Sequence, residues 1–347
     1  MKSKLSPLAW LFALPAFILL VSLSCIDPEE EPIDHYQPSP SELAAQGVQL
    51  IEEIYDGNVI AIQGNRAFVG TFESLTVVDI STPAALRVTG RSDPLPNVIF
   101  DLVLSGDYAY VADGGAGLVV MNIAQDVPYL VSHARTEDLV SNIAISENYA
   151  YLFEWFTGLR VMEISDPTRP QRVGLFEASI FDHGLSIAGN YAYVVDSEYG
   201  LRVIDISDPY RPHQVADFKP LPSGVEALAS QGDYVFVSDS GALLRALDIS
   251  FPTDPVVRSF IRKTSSGSVS DILISGGFAY IIDSQTGLQI VDIEDPTQLR
   301  LVSTVELRGG TEAIAISQGY AYFSGQYGGM TVVDISDPFN PIYVLGH

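Results

Sequence analysis

The chain has 347 residues, 47% of them hydrophobic, which is enough to bury a sizeable core. Its formal net charge is −25, from 18 basic and 43 acidic residues. Nucleic acid and anionic lipid attract basic proteins, so this charge excludes both as expected partners. The acidity is expected to come mainly from carboxylates at repeated turns, which keep the protein soluble. Attraction of a cationic ligand is the alternative.

The N-terminal segment has the pattern of a secretory signal. Residues 1–4 are basic, residues 8–23 are mostly apolar, and Cys25, the sole cysteine of the chain, closes the run. This arrangement resembles the lipobox of bacterial lipoproteins, in which the cysteine receives a diacylglycerol. The resemblance implies a signal peptide over residues 1–24, a lipidated Cys25, and a membrane-anchored, extracytoplasmic protein of the bacterial envelope or surface. A plain cleaved signal and an uncleaved anchor helix remain the alternatives.

Residues 25–46 follow the leader and are rich in Pro and acidic side chains. Such a composition predicts a disordered tether, because it cannot bury enough apolar surface to fold. At about 3.1 Å per residue, an extended tether of this length would reach up to roughly 60 Å from a bilayer.

The rest of the chain, residues 47–347, repeats one pattern seven times. Two positions measure the repeat. A buried-type aromatic falls at Phe68, Tyr110, Tyr151, Tyr193, Phe236, Tyr280 and Tyr322, in steps of 42, 41, 42, 43, 44 and 42. A polar strand end falls at Asp79, Asn122, Glu163, Asp205, Asp248, Asp292 and Asp334, in steps of 43, 41, 42, 43, 44 and 42. This period, with several short β-type runs per copy, predicts an all-β fold, a seven-bladed β-propeller of four-stranded antiparallel blades.

The fourth copy shows the strands of one blade, predicted over residues 184–188, 191–196, 201–206 and 214–218. Asp-Pro pairs such as Asp208-Pro209 end the third strand, because Pro cannot donate to a ladder and Asp caps a turn. A Gly precedes the third strand in most copies and is expected to supply a positive φ there. These glycines are Gly117, Gly158, Gly200, Gly287 and Gly329.

The third strands read Leu-Thr-Val-Val-Asp at 75–79, Leu-Arg-Val-Ile-Asp at 201–205 and Leu-Gln-Ile-Val-Asp at 288–292. They resemble the LVIVD repeat, a bacterial β-propeller repeat, over about residues 57 to 347. The resemblance implies the fold and names no ligand, since the shared residues are structural. Two copies depart from the pattern. The fifth has Ala242 where others have Gly, and the second has Asn122 and no Asp-Pro, so altered turns are expected in both.

The two ends of the repeat region compete for one place in the ring. Residues 48–53 and residues 342–345 both have the register of a fourth, outer strand, and both would pair in the last blade. The segment at 48–53 is the better placed of the two to act as a clasp, although the sequence leaves the choice open.

Binding sites of propellers lie where the first strands begin and where the second and third strands are joined. By register, the first-strand rim holds Asn58, Phe100, Ser141, His183, Glu226, Ser270 and Glu312, followed by Asp101, Asn142 and Asp271. The candidate binding residues are the rim and loop side chains Phe72, Asp101, Trp155, Phe156, His183, Tyr199, Glu226, Asp271, Glu312 and Tyr327. Aromatic rings beside carboxylates suit a sugar or a peptide. The alternative is that these aromatics fold over blade edges and the acids are simply solvated.

The sequence contains no catalytic signature such as a Gly-x-Ser-x-Gly elbow, a Walker loop or a dinucleotide fingerprint. The five histidines form no metal-binding pair, so neither a metal nor a cofactor is expected. The favoured interpretation is a monomeric, non-catalytic scaffold that binds an envelope or extracellular protein, a peptide or a glycan. The alternative is a secreted propeller hydrolase or lyase that acts on carbohydrate, with Glu226 and Glu312 as acid and base.

Overall fold

The computed structural model describes residues 54, 57–178, 182–196, 200–219, 224–307, 310–325 and 329–345; for residues 182, 183 and 196 it describes the backbone alone. These ranges contain 28 β-strands. No helix in them is long and apolar enough to cross a membrane. The predicted signal, Cys25, the tether and the strand at 48–53 lie outside the described residues.

The strands are grouped here by blade, in chain order. Blade 1 has β1 (Val59–Gln63), β2 (Arg66–Gly70), β3 (Leu75–Asp79) and β4 (Arg87–Arg91); blade 2 has β5 (Asp101–Ser105), β6 (Tyr108–Ala112), β7 (Leu118–Asn122) and β8 (Tyr129–Ala134). Blade 3 has β9 (Val140–Ser146), β10 (Tyr149–Glu154), β11 (Gly158–Glu163) and β12 (Gln171–Glu177); blade 4 has β13 (Asp182–Ala188), β14 (Tyr191–Asp196), β15 (Gly200–Asp205) and β16 (His213–Phe218). Blade 5 has β17 (Val225–Gln231), β18 (Tyr234–Asp239), β19 (Ala242–Asp248) and β20 (Val256–Arg262); blade 6 has β21 (Val269–Ser275), β22 (Phe278–Asp283), β23 (Gly287–Asp292) and β24 (Arg300–Val305). Blade 7 has β25 (Thr311–Ser317), β26 (Tyr320–Gly325), β27 (Met330–Asp334) and β28 (Ile342–Leu345).

Each blade is a sheet of four consecutive strands that pair antiparallel in chain order. The first strands of successive blades contact one another around the ring, and β1 contacts β25 to close it. The predicted fold is therefore confirmed. The strands predicted for the fourth copy agree with β13 to β16 to within two residues at either end.

The core consists of seven clusters, one at each interface between blades. An Ala-aromatic dipeptide in the second strand explains the arrangement, because neighbouring residues of a strand point to opposite faces. Tyr151 packs in the cluster shared by blades 3 and 4, together with Ala192 from the second strand of blade 4. Tyr193, the next residue, packs instead in the cluster shared by blades 4 and 5. The repeated aromatics are at most 4% exposed, so each blade sends one ring into the next.

The turns explain where many of the acids are. The residue that ends the third strand accepts a hydrogen bond from the backbone N–H two residues later, at 2.8 to 3.1 Å, in six blades. These residues are Asp79, Asn122, Asp205, Asp248, Asp292 and Asp334. The Asp of each Asp-Pro pair caps its own turn in the same way, at 3.0 to 3.1 Å. These acids therefore lie at local turns, where they accept backbone N–H groups.

The glycines before the third strand all have positive φ, between 80° and 119°, as predicted. At Gly158 a Cβ would also lie 2.2 Å from the carbonyl oxygen of Phe176, so no other residue fits. The two departing copies have altered turns, again as predicted. In blade 5 Asp239 pairs directly with Ala242 across a shortened loop, and in blade 2 the link from Asn122 to Tyr129 is one residue shorter than that from Asp205 to His213.

The C-terminal strand β28 (Ile342–Leu345) occupies the outer place in blade 7, where it pairs with β27. The preference for residues 48–53 in that place is therefore wrong. A short turn joins β27 to β28, as in the six other blades, and this local connection fills the slot. The seam between blades 7 and 1 is held by side-chain packing and by bonds such as Gly329 N–H to the Ile54 carbonyl, at 2.8 Å.

Candidate functional site

The two faces of the ring carry different connections. The upper face is defined here as the face with the loops between second and third strands, including residues 71–74, 113–117 and 155–157, and with the starts of the first strands. The lower face carries the hairpin turns between first and second strands and the Asp-Pro turns. The candidate binding residues whose side chains the structure describes all belong to the upper face.

The rim positions predicted by register are β-bulges in several blades. Ser141, Glu226, Ser270 and Glu312 each stand as the extra residue where the pairing of the first strand with the second shifts. A bulge turns a side chain away from the regular alternation of the strand. Four of the seven register positions are thus bulge residues, which explains why they depart from the apolar pattern of their strands.

Asp101 and Asp271 lie on first strands of blades 2 and 6 and are both half-buried. Asp101 Oδ2 accepts a hydrogen bond from Ile143 N of blade 3 at 2.9 Å, and Asp271 Oδ2 accepts one from Ile314 N of blade 7 at 3.2 Å. Burial raises the pKa of Asp101 to about 7, with a further contribution from the charge of Asp271, and burial raises the pKa of Asp271 to about 6. Each carboxyl thus joins one blade to the next and is protonated more readily than an exposed aspartate.

Glu226 makes a similar link from blade 5 to blade 6. Its Oε2 accepts hydrogen bonds from Val269 N at 2.8 Å and from Lys263 Nζ at 2.5 Å. The side chain of Lys263 is 3% exposed and that of Glu226 is 20% exposed, so the pair is largely removed from water. Both contacts engage the same carboxylate oxygen in a link between the two blades.

A set of buried acids at the end of the second strand was missed by the sequence analysis. Asp113, Glu154, Asp239 and Asp283 are at most 1% exposed. Asp239 Oδ1 accepts the N–H groups of Gly241 and Ala242, at 2.8 and 2.9 Å, and the carboxylate pairs with Arg245. The sequence does mark this position. The pattern Tyr-Ala-Tyr-Val-Val-Asp at 191–196 ends in an acid, and five of the seven copies have an acid there.

Asp113 differs from the other three. Its Oδ1 accepts a hydrogen bond from Asn97 N at 3.2 Å, while its Oδ2 has no hydrogen-bond donor among the described residues. Burial raises the pKa of Asp113 to about 7. A neutral carboxyl is the less costly form in this place, because an unpaired charge would be strongly desolvated.

In blade 3, ion pairs and a hydrogen bond fix the upper-face loop at 155–157. The Arg160 side chain, 7% exposed, contacts the fully buried Glu154 carboxylate and lies 3.5 Å from Glu137 Oε2. Thr157 Oγ1 donates to Asp138 Oδ2 at 2.5 Å. These contacts bind the loop at 155–157 to the connection between blades 2 and 3.

Three phenylalanines are exposed on the upper face of consecutive blades. Phe72 of blade 1 is 44% exposed, Phe100 of blade 2 is 40% exposed and Phe156 of blade 3 is 55% exposed. Phe156 has φ of 61°, in the left-handed region that favours glycine. Trp155 is half-buried and packs against the core cluster of blades 3 and 4, so its ring also serves the fold.

The remaining candidates are placed as follows. Glu312 is half-buried at its bulge in blade 7. The side chain of His183 and the whole of Tyr199 and Tyr327 lie outside the described residues. Within the described ranges, no group of three or more His, Cys, Asp or Glu side chains has the arrangement of a metal site.

The fold and its upper face define the class of protein, a repeat-built β-propeller scaffold. The sequence profile of the LVIVD repeat matches residues 56–93, 100–126, 139–177, 183–218, 225–260, 266–306 and 308–346. The chain therefore belongs to the LVIVD repeat family.

Solved structures share the fold at low identity. The beta-propeller domain of Cps50 (Swd1) from Myceliophteria thermophila is 12% identical, with a TM-score of 0.66 over 81% of this chain and 98% of that one. The computationally designed Ika8 protein is 11% identical, with a TM-score of 0.60 over 82% of this chain and 97% of that one. The sequence matches no curated protein. These likenesses establish the fold alone.

The substitution Asp101→Asn tests the carboxyls of the first strands. Burial raises the pKa of Asp101 above its value in the unfolded chain, so the folded state binds the proton more tightly and stability falls as pH rises from about 4 to about 7. Asn keeps an oxygen for the Ile143 N–H and cannot ionise. We expect the substitution to abolish roughly 1 to 3 kcal/mol of this pH-dependent loss, measured by urea unfolding at about pH 4.5 and about pH 8.

The control for this experiment is Asp248→Asn. Hydrogen bonds from Ser250 and Arg258 hold the pKa of Asp248 at about 2, so its carboxylate stabilises the fold above about pH 4. This control should therefore lower stability at both about pH 4.5 and about pH 8 and leave the pH dependence between them nearly unchanged. A pH profile of Asp101→Asn that matches the wild type would contradict the assignment.

Proposed function

We propose that this protein is a non-catalytic scaffold that binds a protein, a peptide or a glycan through the upper face of blades 1 to 3. The observation that carries the proposal is Phe156. This residue is 55% exposed and its backbone is left-handed, a conformation that costs a non-glycine residue about 1 kcal/mol or more. A turn that needed only to connect two strands would favour Gly at this position.

The surroundings of Phe156 support a preformed binding surface. Glu154 and Arg160 fix the loop from below, and Thr157 and Asp138 fix it to the neighbouring connection. An aromatic ring held in advance loses little conformational entropy when a ligand stacks on it. Phe72 and Phe100 extend the exposed aromatic surface across two further blades.

The contacts of Glu226 argue against the predicted acid and base pair of Glu226 and Glu312. The hydrolase interpretation needs one carboxyl that keeps its proton and a second that acts as base or nucleophile. Glu226, one of the two candidate acids, is instead bonded to Lys263 and to the backbone of Val269. This engagement suits a structural link between blades, so the scaffold is the better supported of the two functions.

The proposal also covers the cellular location of the protein. The leader and the sole cysteine favour a protein anchored to the bacterial envelope through lipid on Cys25, with the propeller outside the cytoplasm. The net charge of −25 disfavours self-association and contact with anionic lipid headgroups. We therefore infer a monomer that meets the membrane only through its lipid.

The double variant Phe72→Ser, Phe156→Gly tests the binding surface. Wild-type protein is screened against a glycan array and a displayed library of random peptides, and each ligand found is titrated against the variant. We expect affinity to fall about tenfold or more, since exposed aromatic anchors dominate such contacts. Stability should not fall through residue 156, because Gly adopts positive φ without strain.

The matched control is Phe339→Thr. Phe339 is 49% exposed on the lower face, and Thr stands at the same position of the turn in blades 3 and 6, as Thr168 and Thr297. This variant should bind upper-face ligands as the wild type does. Ligands that bind the double variant unchanged, or a failure of both screens, would refute the proposal.

The substitution Cys25→Ser tests the location. Without the thiol no diacylglycerol can be attached, so the protein should move from the membrane fraction to the soluble fraction of cells. Mass spectrometry of the wild-type protein should find an N-terminal Cys25 that carries lipid. An unmodified N-terminus, or membrane retention of the variant, would contradict the lipid anchor.

A further inference from the structure

The seven copies of the repeat can be compared position by position. On the lower face, one exposed residue differs in type from its equivalent in every other copy. Phe251 precedes Pro252 in blade 5, where four other copies have Asp166, Asp208, Asp295 and Asp337. Each of those aspartates caps its own turn through a hydrogen bond of 3.0 to 3.1 Å. The side chain of Phe251 cannot accept such a bond, and the residue is 75% exposed.

Other exposed aromatics of these turns have partners within the fold. The ring of Phe339 meets that of Phe278 edge to face at 6.0 Å, and Arg300 lies over it. Tyr210 hydrogen-bonds to Tyr149 of the preceding blade. Within the described part of the chain, Phe251 makes no contact with another ring or with a cation. The fold therefore accounts for Phe339 and Tyr210 and leaves Phe251 unexplained.

Acids without cationic partners flank Phe251. The carbonyl of Asp233 accepts Ile249 N at 2.8 Å, and Asp254 N donates to the Phe251 carbonyl at 2.9 Å, which places both residues against this turn. Both are exposed, and neither forms a salt bridge among the described residues. The nearby Arg258 is already paired with Asp248, at 2.7 Å.

We propose that Phe251 is the anchor of a second interaction surface, on the lower face, which fits a basic protein segment that also carries apolar side chains. The partner would bury the ring and set Lys or Arg side chains against Asp233 and Asp254. A large exposed ring is the kind of residue that carries interface energy, and complementary charge selects the partner. This surface does not depend on the upper-face site, since it lies on the opposite face.

A second copy of the chain and a lipid surface are less suitable occupants. Two molecules of charge −25 repel each other, and the same charge repels anionic headgroups. The same negative charge that repels a second copy and anionic lipid attracts a basic segment. The proposal thus commits to a cationic protein partner.

The first test is stability. Phe251→Asn restores the side-chain acceptor of the turn without adding charge, and Asn before Pro favours turn initiation. We expect the melting temperature to stay equal or to rise. A clear fall in melting temperature would show that the ring serves packing and would overturn the proposal. The control Phe339→Thr should lower the melting temperature, because it removes the contacts with Phe278 and Arg300.

The second test is binding. A displayed library of random peptides is selected on the Phe72→Ser, Phe156→Gly variant, so that upper-face ligands are not recovered. We expect enriched peptides that combine apolar residues with Lys or Arg and that bind Phe251→Asn about tenfold or more weakly. The variant Asp233→Asn, Asp254→Asn should weaken them as well, and more strongly at low salt.

Three results of this test would overturn the proposal. The first is a failure of the peptide selection. The library yields no lower-face peptide, or its peptides lack basic residues, or they bind Phe251→Asn as tightly as the wild type. The second is self-association in sedimentation velocity that Phe251→Asn abolishes, which would assign the surface to a second copy. The third is binding of the wild-type propeller to phosphatidylcholine vesicles that depends on Phe251, which would assign it to a lipid surface. None of these results bears on the upper-face site.

Discussion

The structure depends on one packing arrangement, repeated at every interface between blades. A large aromatic ring of one second strand and a small residue of the next, usually Ala, occupy the same core cluster, as Tyr151 and Ala192 do. A single blade has both faces apolar and cannot bury them alone, so only a closed series of blades removes them from water. The seam between blades 7 and 1 follows the same rule, with Tyr322 and Ala67 in one cluster. Among the described residues, this packing and the local strand β28 close the last blade onto the first.

Polar groups are arranged around this packing and set what the faces can do. Asp101, Asp271 and Glu226 join the first strands of successive blades by accepting backbone N–H groups. Acids at the ends of the second and third strands cap loops and turns. Much of the negative charge is thus structural. The two surfaces proposed for recognition depend on departures from the repeat. Phe156 has a left-handed backbone, and Phe251 lacks the side-chain acceptor that caps the turn in four other copies.

Much of the fold can be predicted from the sequence, because the repeated residues are those that the strands and turns of each blade require. Three features of the repeat are set by contacts within one blade or with the next blade. They are the aromatic of the second strand, the Gly with positive φ and the Asp-Pro turn. The choice of the terminal strand in blade 7 was not predictable, because two segments had the same register. Buried acids such as Glu154 were missed because their partners, including Arg160, are recognised only when the strands are paired. The left-handed backbone of Phe156 leaves no mark in the sequence, since that residue type almost never adopts it.

The most direct test of the central packing claim is a double-mutant cycle at one interface. Tyr151→Ala should destabilise the ring by about 3 to 5 kcal/mol by opening a cavity, and Ala192→Leu should destabilise it by about 1 to 3 kcal/mol by overpacking. Together they should cost at least about 1 kcal/mol less than their sum, because the leucine fills the space of the lost ring. Tyr193→Ala combined with Ala192→Leu is the control, and it should be additive, since these neighbours in sequence face opposite blades. Free energies of unfolding that add in the first pair, or couple only in the second, would contradict this account of how the blades are joined.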